Sequence, residues 1–326
     1  MELPHSWYPL CSSAALARGQ TLAVLAGGER LAVFRRHDGV VGALPARCPH
    51  FGADLATGTV EQGVDGGHLR CPLHGRAYAV DGTCRNGGPG SHAGALTTIE
   101  RWGIIFATWG ADPGFALPQV GDGQPLIASR VVWQTAPIAM EAIGANAFDT
   151  AHLAQVHARE LEGQPVLSTL SPWAIRIAFA ARVAGHSARD RLLRLLGVRN
   201  VELETTCWGG NLLVFHHRRV RTWTIHAALP LAEGSTATCT VSLRVQPTSR
   251  VGRLLAQLQL AVQHRLIMDF VAEDLAALCG LTSGPVNLDP VSDAGLIAWR
   301  QHYASLPRIS PKSPGFAQPS AAAAKP

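Results

Sequence analysis

The chain has 326 residues, of which 47% are hydrophobic and 16% charged, so it can bury cores of ordinary size and is not a disordered protein. Its formal net charge of +5 comes from lysines and arginines scattered along the sequence, which argues against a nucleic-acid-binding surface. No run of about eighteen apolar residues occurs and the first residues do not resemble a signal peptide, so we expect no membrane span and a cytoplasmic protein.

The N-terminal part of the sequence consists of short β-rich runs separated by glycine-containing turns. Gly27-Gly28 and Asp38-Gly39 stand at hairpin positions between the first runs. The runs lie at residues 21–26, 30–36, 40–44, 68–71, 77–80, 96–100 and 103–109. This pattern predicts a small antiparallel β domain over residues 1–110. Residues 111–128 are rich in Gly, Pro and Asp and are interpreted as a linker.

Residues 129–306 combine helical and strand patterns. Residues 140–157 are alanine-rich and helical, and apolar side chains recur every three or four positions in residues 250–279. Alternating runs lie between them at residues 201–208, 212–219, 222–229 and 236–245. The pattern predicts an antiparallel sheet with long helices beside it, an α+β fold. Residues 307–326 are dominated by Pro, Ser and Ala, and we expect a disordered tail.

Two predicted loops of the first domain each offer one cysteine and one histidine. Cys48 and His50 lie in the first loop, and Cys71 and His74 lie in the second. Two thiolates on one iron and two imidazoles on the other are the ligands of a Rieske 2Fe–2S cluster. A zinc site is the competing interpretation, but zinc fingers pair cysteine with cysteine and histidine with histidine. The four residues therefore predict an iron–sulfur cluster.

At these four positions the chain resembles the Rieske family. Respiratory members of that family carry an extra cysteine in each loop, and the two extra cysteines form a disulfide. Here Phe51 follows His50 and Leu73 precedes His74, so no bridge can join the loops. The resemblance therefore favours the oxygenase or ferredoxin branch over a respiratory subunit.

A second motif lies in the predicted helix over residues 140–157. Asn146, Asp149 and His152 recur at steps of three and would share one helical face. His157 lies five positions beyond His152, so the two histidines converge only if the helix ends or bulges there. Two histidines and a distant carboxylate would hold Fe(II) with open positions. Taken alone, the segment fits a structural His–Asp hydrogen bond equally well.

The two motifs together resemble the Rieske non-heme iron oxygenases over residues 6–305. By length, the chain is similar to their single-subunit terminal oxygenases, which include O-demethylases, ketosteroid hydroxylases and tailoring enzymes of secondary metabolism. The resemblance implies a helix-grip-like catalytic domain that holds mononuclear Fe(II) through His152 and His157.

The third iron ligand of that family is a carboxylate on a long C-terminal helix, here predicted at residues 252–280. Asp274 is our choice, because apolar residues flank it on its helical face. Glu273 and Asp269 are rivals on the same helix. The resemblance also implies that Asp149 bridges the two metal centres between subunits, and that Asn146 lies near the iron.

The resemblance implies partners and a reaction as well. Electrons would come from NAD(P)H through a separate flavin-dependent reductase, sometimes with a ferredoxin, to a head-to-tail homotrimer. We expect a monooxygenase that uses dioxygen to hydroxylate or oxidatively dealkylate an organic small molecule. The alternative is an electron carrier whose second domain has lost its iron site.

Overall fold

The computed structural model describes residues 2–63, 66–88, 90–110, 112–195, 197–232, 234–281 and 286–311. The chain divides into two compact units. The described part of the first unit covers Pro9–Gly114 with short segments at residues 2–5 and 308–311, and the second covers Ser6–Tyr8 and Phe115–Pro307. The division at Gly114 lies close to the predicted boundary at residue 110, and the functional limits of the two domains remain predictions.

The secondary structure consists mainly of antiparallel strands. The strands are β1 (Leu3–Pro4), β2 (Tyr8–Ser12), β3 (Thr21–Ala26), β4 (Glu29–Arg35), β5 (Val41–Pro45), β6 (Thr59–Glu61), β7 (His68–Arg70), β8 (Ala77–Tyr78), β9 (Thr97–Arg101), β10 (Ile104–Thr108), β11 (Leu126–Ala128), β12 (Val132–Ala136), β13 (Arg159–Ser171), β14 (Ala174–Val183), β15 (Asn200–Trp208), β16 (Leu212–His217), β17 (Thr222–Ala232), β18 (Ser235–Val245) and β19 (Arg308–Ile309). The helices are α1 (Met140–Asn146), α2 (His152–His157), α3 (Ala188–Leu195), α4 (Arg250–Leu278) and α5 (Ala294–Ser305).

Small sheets of two or three strands build the first unit. Their orders are β1-β19, β2-β10-β9, β3-β4-β5 and β6-β7-β8. The β3–β4 turn carries Gly27 and Gly28 at φ +62° and +81°, which glycine adopts without the steric cost that a Cβ atom imposes. Side chains of β4, β5, β7 and β8 form one buried core, and Cys48 and Cys71 belong to it. The two cysteines predicted to bind the cluster therefore lie in the packed interior of this unit.

One large antiparallel sheet builds the second unit. Its order is β11-β18-β17-β16-β15-β14-β13, and β12 also pairs with β18. Helices α1, α2 and α4 contact one another and the sheet, and α5 packs against α1. The contact between α1 and α5 is close, because a Cβ atom on Gly144 would lie 2.4 Å from the Trp299 ring. The predicted α+β fold class is confirmed.

Three of the predicted segments differ from the structure. The helix predicted over residues 140–157 is two helices, α1 and α2, because the backbone leaves the helical conformation at residues 147–151. The predicted linker at residues 111–128 contains β11 and several buried apolar side chains, including Phe115 and Leu117. Part of the predicted tail forms β19 on β1, and its residues 312–326 lie outside the described residues.

Helix length also bears on the predicted absence of a membrane span. Across the described ranges, no helix combines the length and the apolar character that crossing a membrane requires.

Candidate functional site

The two cluster loops are tight turns that follow β5 and β7. In the first loop the Cys48 amide donates to Ala53 O, and the Gly52 amide donates back to Cys48 O, both at 2.8 Å. In the second loop the Gly75 amide donates to Cys71 O at 3.1 Å. Gly52 and Gly75 adopt φ values of +83° and +65°, so each loop closes through the left-handed conformation that favours glycine.

These turns separate the sulfur atoms from the imidazoles. Cys48 and Cys71 are 1% and 2% exposed, whereas His50 and His74 are exposed. The two imidazole rings lie 4.7 Å apart between centroids. The structure therefore brings together two buried thiols and two outward-facing imidazoles, which is a donor set that fits a Rieske cluster.

Sequence reasoning missed a further group beside the predicted cluster. The hydroxyl oxygen of Tyr78, on β8, lies 3.2 Å from Cys48 Sγ. Burial raises the pKa of the Tyr78 phenol, and the contact with Cys48 raises it further. The phenol therefore stays protonated and can donate a hydrogen bond to a cluster thiolate. Nothing in the sequence around Tyr78 distinguishes it from an ordinary core residue.

The predicted iron ligands come together in the second unit. One ligand atom each of His152, His157 and Asp274 lies within 4.8 Å of the others. Asp274 Oδ1 is 2.8 Å from His157 Nε2 and 3.5 Å from His152 Nε2. Two imidazoles and one carboxylate on one side of a metal leave the remaining positions open, so these residues fit a mononuclear Fe(II) site. Their role as ligands remains a prediction.

The end of α2 explains how two histidines five residues apart converge. His157 is the last residue of α2, and Ala158 turns into the left-handed conformation at φ +51°. The Arg159 side chain donates to His157 O at 2.8 Å, and it forms a buried ion pair with Asp190 at 2.8 Å. The histidine rings then lie 5.3 Å apart. His157 is thus the last helical residue before the chain turns, and its ring lies close to that of His152.

Asp149 and Asn146 lie next to the predicted iron site. Asp149 Oδ1 accepts a hydrogen bond from the Ala151 amide at 2.9 Å, which closes a turn just before α2. Its Oδ2 lies 3.9 Å from His152 Nδ1, and the backbone carbonyl of Asp149 is closer to that nitrogen, at 2.5 Å. Asn146 lines the neighbouring cavity. The carboxylate of Asp149 is half-buried and still has Oδ2 available for another contact.

The three acids considered for the carboxylate ligand have different surroundings. Asp269 is 42% exposed and lies 3.5 Å from Arg265 on the same helix. Glu273 lies 2.9 Å from His157 Nδ1, which is the ring nitrogen opposite the predicted metal position. Only Asp274, of these three, faces Nε2 of both histidines. The geometry thus favours Asp274.

Asp274 and Glu273 both affect the pKa of His157. Burial lowers the pKa of this imidazole, but Asp274 and then Glu273 outweigh burial, and the pKa is raised above its ordinary value. A site with this negative charge is suited to a cation, and both acids reach the same imidazole from opposite edges.

A cavity of about 1140 Å³ opens beside these residues within the second unit. Its wall on the sheet side includes Thr205, Phe215 and His226, and most of its remaining lining is apolar. His226 is 5% exposed and its Nδ1 lies 2.8 Å from Thr240 Oγ1. Burial lowers the pKa of His226 to about 4, so the imidazole is neutral near neutral pH. An apolar cavity with a few hydrogen-bonding groups is typical of small-molecule sites.

Helix α4 forms the opposite wall with side chains spaced four residues apart. These are Leu258, Val262, Leu266, Phe270, Asp274 and Leu278. Because residues four apart are neighbours on a helix, the predicted carboxylate ligand lies next to the apolar Phe270 and Leu278 in this wall.

Comparison with known proteins places these features in a family. Residues 6–100 match the Rieske [2Fe-2S] domain family, and this stretch contains all four predicted cluster ligands. Residues 6–100 therefore form a Rieske [2Fe-2S] domain. The 2Fe–2S cluster is thus the cofactor of the first domain, whereas the individual ligand assignments remain predictions.

The relatives are oxidoreductases. Cholesterol 7-desaturase nvd 1 from Ciona intestinalis is 28% identical over 183 residues, which cover 52% of this chain and 38% of that protein. A putative toluene-4-sulfonate monooxygenase system iron-sulfur subunit, TsaM2, from Comamonas testosteroni is 30% identical over 188 residues, which cover 53% and 51%. The chain therefore spans about half or less of the length of these relatives.

Similarity of fold extends further than similarity of sequence. The crystal structure of dicamba monooxygenase bound to dicamba superposes with a TM-score of 0.68 and covers 92% of this chain and 96% of that one, at 17% identity. The chain therefore shares the fold of dicamba monooxygenase over most of its length, and the resemblance predicted from its sequence is confirmed.

Proposed function

We propose that the chain is the terminal oxygenase component of a Rieske non-heme iron oxygenase system. Its substrate would be an organic small molecule, which it would hydroxylate or oxidatively dealkylate with dioxygen. The observation that carries the proposal is the convergence of His152, His157 and Asp274 at the wall of an apolar cavity, in a chain that also has a Rieske domain.

The predicted ligands of each unit have distinct tasks in this proposal. When bound, the cluster supplies single electrons and the iron supplies open positions for dioxygen. His152, His157 and Asp274 would hold the iron, and Cys48, His50, Cys71 and His74 would hold the cluster. The cavity wall would exclude water from the reacting carbon and orient it, because most of the lining is apolar.

His226 would contribute to substrate orientation. It is neutral near neutral pH, its Nδ1 contacts Thr240, and its ring lines the cavity. A neutral imidazole can donate or accept a hydrogen bond, so this residue suits a substrate with a hydroxyl or carbonyl group. Cholesterol 7-desaturase and toluene-4-sulfonate monooxygenase, by their names, act on molecules that combine an apolar body with one polar group. A substrate of that general type is part of the proposal.

The electron supply and the assembly belong to the same proposal. Electrons would come from NAD(P)H through a flavin-dependent reductase, with or without a ferredoxin. The subunits would form a head-to-tail homotrimer, in which Asp149 accepts hydrogen bonds from His152 and from His74 of the partner subunit. The half-buried carboxylate of Asp149, with Oδ2 available, supports this role.

The iron and acid-labile sulfide content of anaerobically purified, metal-replete protein tests the proposal. We expect about three irons for two sulfides per chain, which corresponds to one cluster and one mononuclear iron. The matched control is the double variant His152→Ala/His157→Ala, which should retain about two irons for two sulfides. If the wild-type protein also contained only two irons, the chain would be an electron carrier and the oxygenase proposal would be wrong.

A further inference from the structure

A second carboxylate lies behind the predicted iron ligand His157. Glu273 Oε2 is 2.9 Å from His157 Nδ1, while Asp274 Oδ1 is 2.8 Å from His157 Nε2. The two acids are adjacent in α4, yet they reach opposite edges of one imidazole ring. His157 itself is 4% exposed, so both contacts are made to a side chain that has almost no contact with water.

Arg189, in α3, holds this second carboxylate in place. Its Nη1 donates to Glu273 Oε1 at 2.9 Å, and its Nη2 donates to Glu273 Oε2 at 3.2 Å. A paired contact of this kind fixes the plane of a carboxylate as well as its position. Both oxygens of Glu273 are therefore engaged by Arg189, and Oε2 is shared with His157.

The Phe270 ring packs against both Arg189 and His157. The Arg189 guanidinium carbon lies 4.1 Å from the centroid of the Phe270 ring, and the His157 ring centroid lies 4.7 Å from the same ring. The aromatic face thus supports both the cation and the imidazole. Since Arg189 is only 14% exposed, water competes weakly for its contacts with Glu273.

Asp190, the next residue of α3, is linked to the backbone of His157 through Arg159. Asp190 pairs with Arg159 at 2.8 Å, and Arg159 donates to His157 O at 2.8 Å. Residues 189 and 190 therefore act on the two ends of His157, one through its ring and the other through its carbonyl group. The position of the imidazole is thus determined by α3 as well as by α2 and α4.

We propose that Glu273 is a positioning residue that accepts the Nδ1 hydrogen of His157 and that Arg189 fixes its orientation. An ionised carboxylate can only accept hydrogen bonds, so with iron bound Glu273 would accept the Nδ1 hydrogen of His157 and leave Nε2, on the side of Asp274 and His152, to bind the metal. A carboxylate behind a metal-binding histidine orients the ring and strengthens it as a ligand. The inference rests on the proposed function, because it concerns the same iron site.

The experiment measures Fe(II) affinity in the cluster-loaded protein by anaerobic competition with a chromogenic chelator. The variants are Glu273→Ala, Glu273→Gln and Arg189→Met. The control is Asp269→Ala, which removes an acid one turn earlier in α4 that contacts Arg265. We expect about a 10- to 100-fold loss of affinity for Glu273→Ala, a smaller loss for the other two variants, and a control within about twofold of wild type.

A second measurement separates positioning from general destabilisation. The nitric oxide adduct of the mononuclear Fe(II) is recorded by electron paramagnetic resonance with the cluster oxidised. We expect a changed rhombicity for Glu273→Gln, which keeps the shape of the side chain, and an unchanged signal for the control. This variant also carries the test if Glu273→Ala does not fold.

The outcomes distinguish this inference from the proposed function. If wild-type protein binds a third iron and the Glu273 variants match its affinity and spectrum, the positioning role is wrong and the oxygenase proposal stands. If wild-type protein binds no third iron, both proposals are wrong.

Discussion

The hydroxyl oxygen of Tyr78 lies 3.2 Å from Cys48 Sγ in the buried core of the first unit. A hydrogen bond to a cluster sulfur stabilises the reduced, more negative cluster and so raises the reduction potential. Tyr78→Phe should therefore lower the potential by on the order of 50 mV, since a hydrogen bond is worth about 1 kcal/mol and about 1.4 kcal/mol corresponds to about 59 mV for one electron.

Protein-film voltammetry measures this change, with Tyr303→Phe in the second unit as the control. A Tyr78→Phe potential equal to that of wild type would mean that the phenol does not donate to the cluster.

The two cysteines in the cluster loops can be tested against a third buried cysteine in the same core. Cys48 and Cys84 are 1% and 8% exposed and belong to one cluster of core side chains. Cys48→Ala should abolish the visible absorption and the sulfide content of the Rieske cluster, because it removes a thiolate ligand. Cys84→Ala removes a comparable thiol and should leave both signals intact. Loss of the signals in both variants would indicate a folding defect, and retention in both would contradict the ligand assignment.

Asp149 has a hydrogen bond to the Ala151 amide and a predicted bridging role, and two substitutions separate them. Asp149→Asn keeps an oxygen that can accept from this amide, whereas Asp149→Ala removes it at a cost of about 1 kcal/mol. If the carboxylate bridges the metal centres between subunits, both variants should bind the wild-type amounts of iron and sulfide. Reoxidation of the reduced cluster with substrate and dioxygen should slow by about 10- to 100-fold in both.

Stopped-flow absorbance at the cluster bands measures the rate. A wild-type rate in Asp149→Asn would contradict the bridging role, and a defect confined to Asp149→Ala would assign the effect to the lost hydrogen bond to the Ala151 amide.

Burial of His226 predicts how stability depends on pH. Its pKa is lowered to about 4 in the folded protein, whereas an unfolded histidine titrates near about 6.5. Between these values the unfolded state binds more protons, so stability decreases as the pH falls from about 6.5 toward about 4. This one group accounts for about 3 kcal/mol at the acid end.

Urea unfolding at a series of pH values measures the slope. His226→Asn keeps a group that can contact Thr240 but does not titrate, so its stability should depend less on pH than that of wild type. The exposed His186→Asn is the control and should follow the wild-type slope. Equal slopes for wild type and His226→Asn would show that this histidine is not held neutral.

The parts of the fold that carry a local signal were predictable from the sequence. β3 begins and ends at the predicted residues, because glycines force the turn after it, and α4 ends within one residue of the prediction. β13 was not predicted, because most of its side chains are exposed and show no alternation of polar and apolar residues. β11 was missed because it has only three residues in a Gly- and Pro-rich segment.

In the candidate site, too, some features have a local sequence signal and others depend on packing. The predicted ligands follow recognisable spacings in the sequence, so these candidates could be proposed from the sequence alone: Cys48, His50, Cys71, His74, His152 and His157. The choice of Asp274 over Glu273 depends on which edge of an imidazole each acid reaches, and that is a property of packing. Arg189 lies 84 residues from its partner Glu273, and no periodicity relates positions so far apart.

Along helix α4, the position of a residue in the sequence sets how far it lies from Asp274. An α-helix rises about 1.5 Å per residue, so each four-residue step along its lining face moves about 6 Å away from Asp274. Leu258 and Val262 are 58% and 56% exposed, whereas Leu278 is 8% exposed, so the exposure of the lining side chains falls along the helix. The turn of α4 on which a side chain lies therefore sets both its exposure and its distance from the predicted iron ligand.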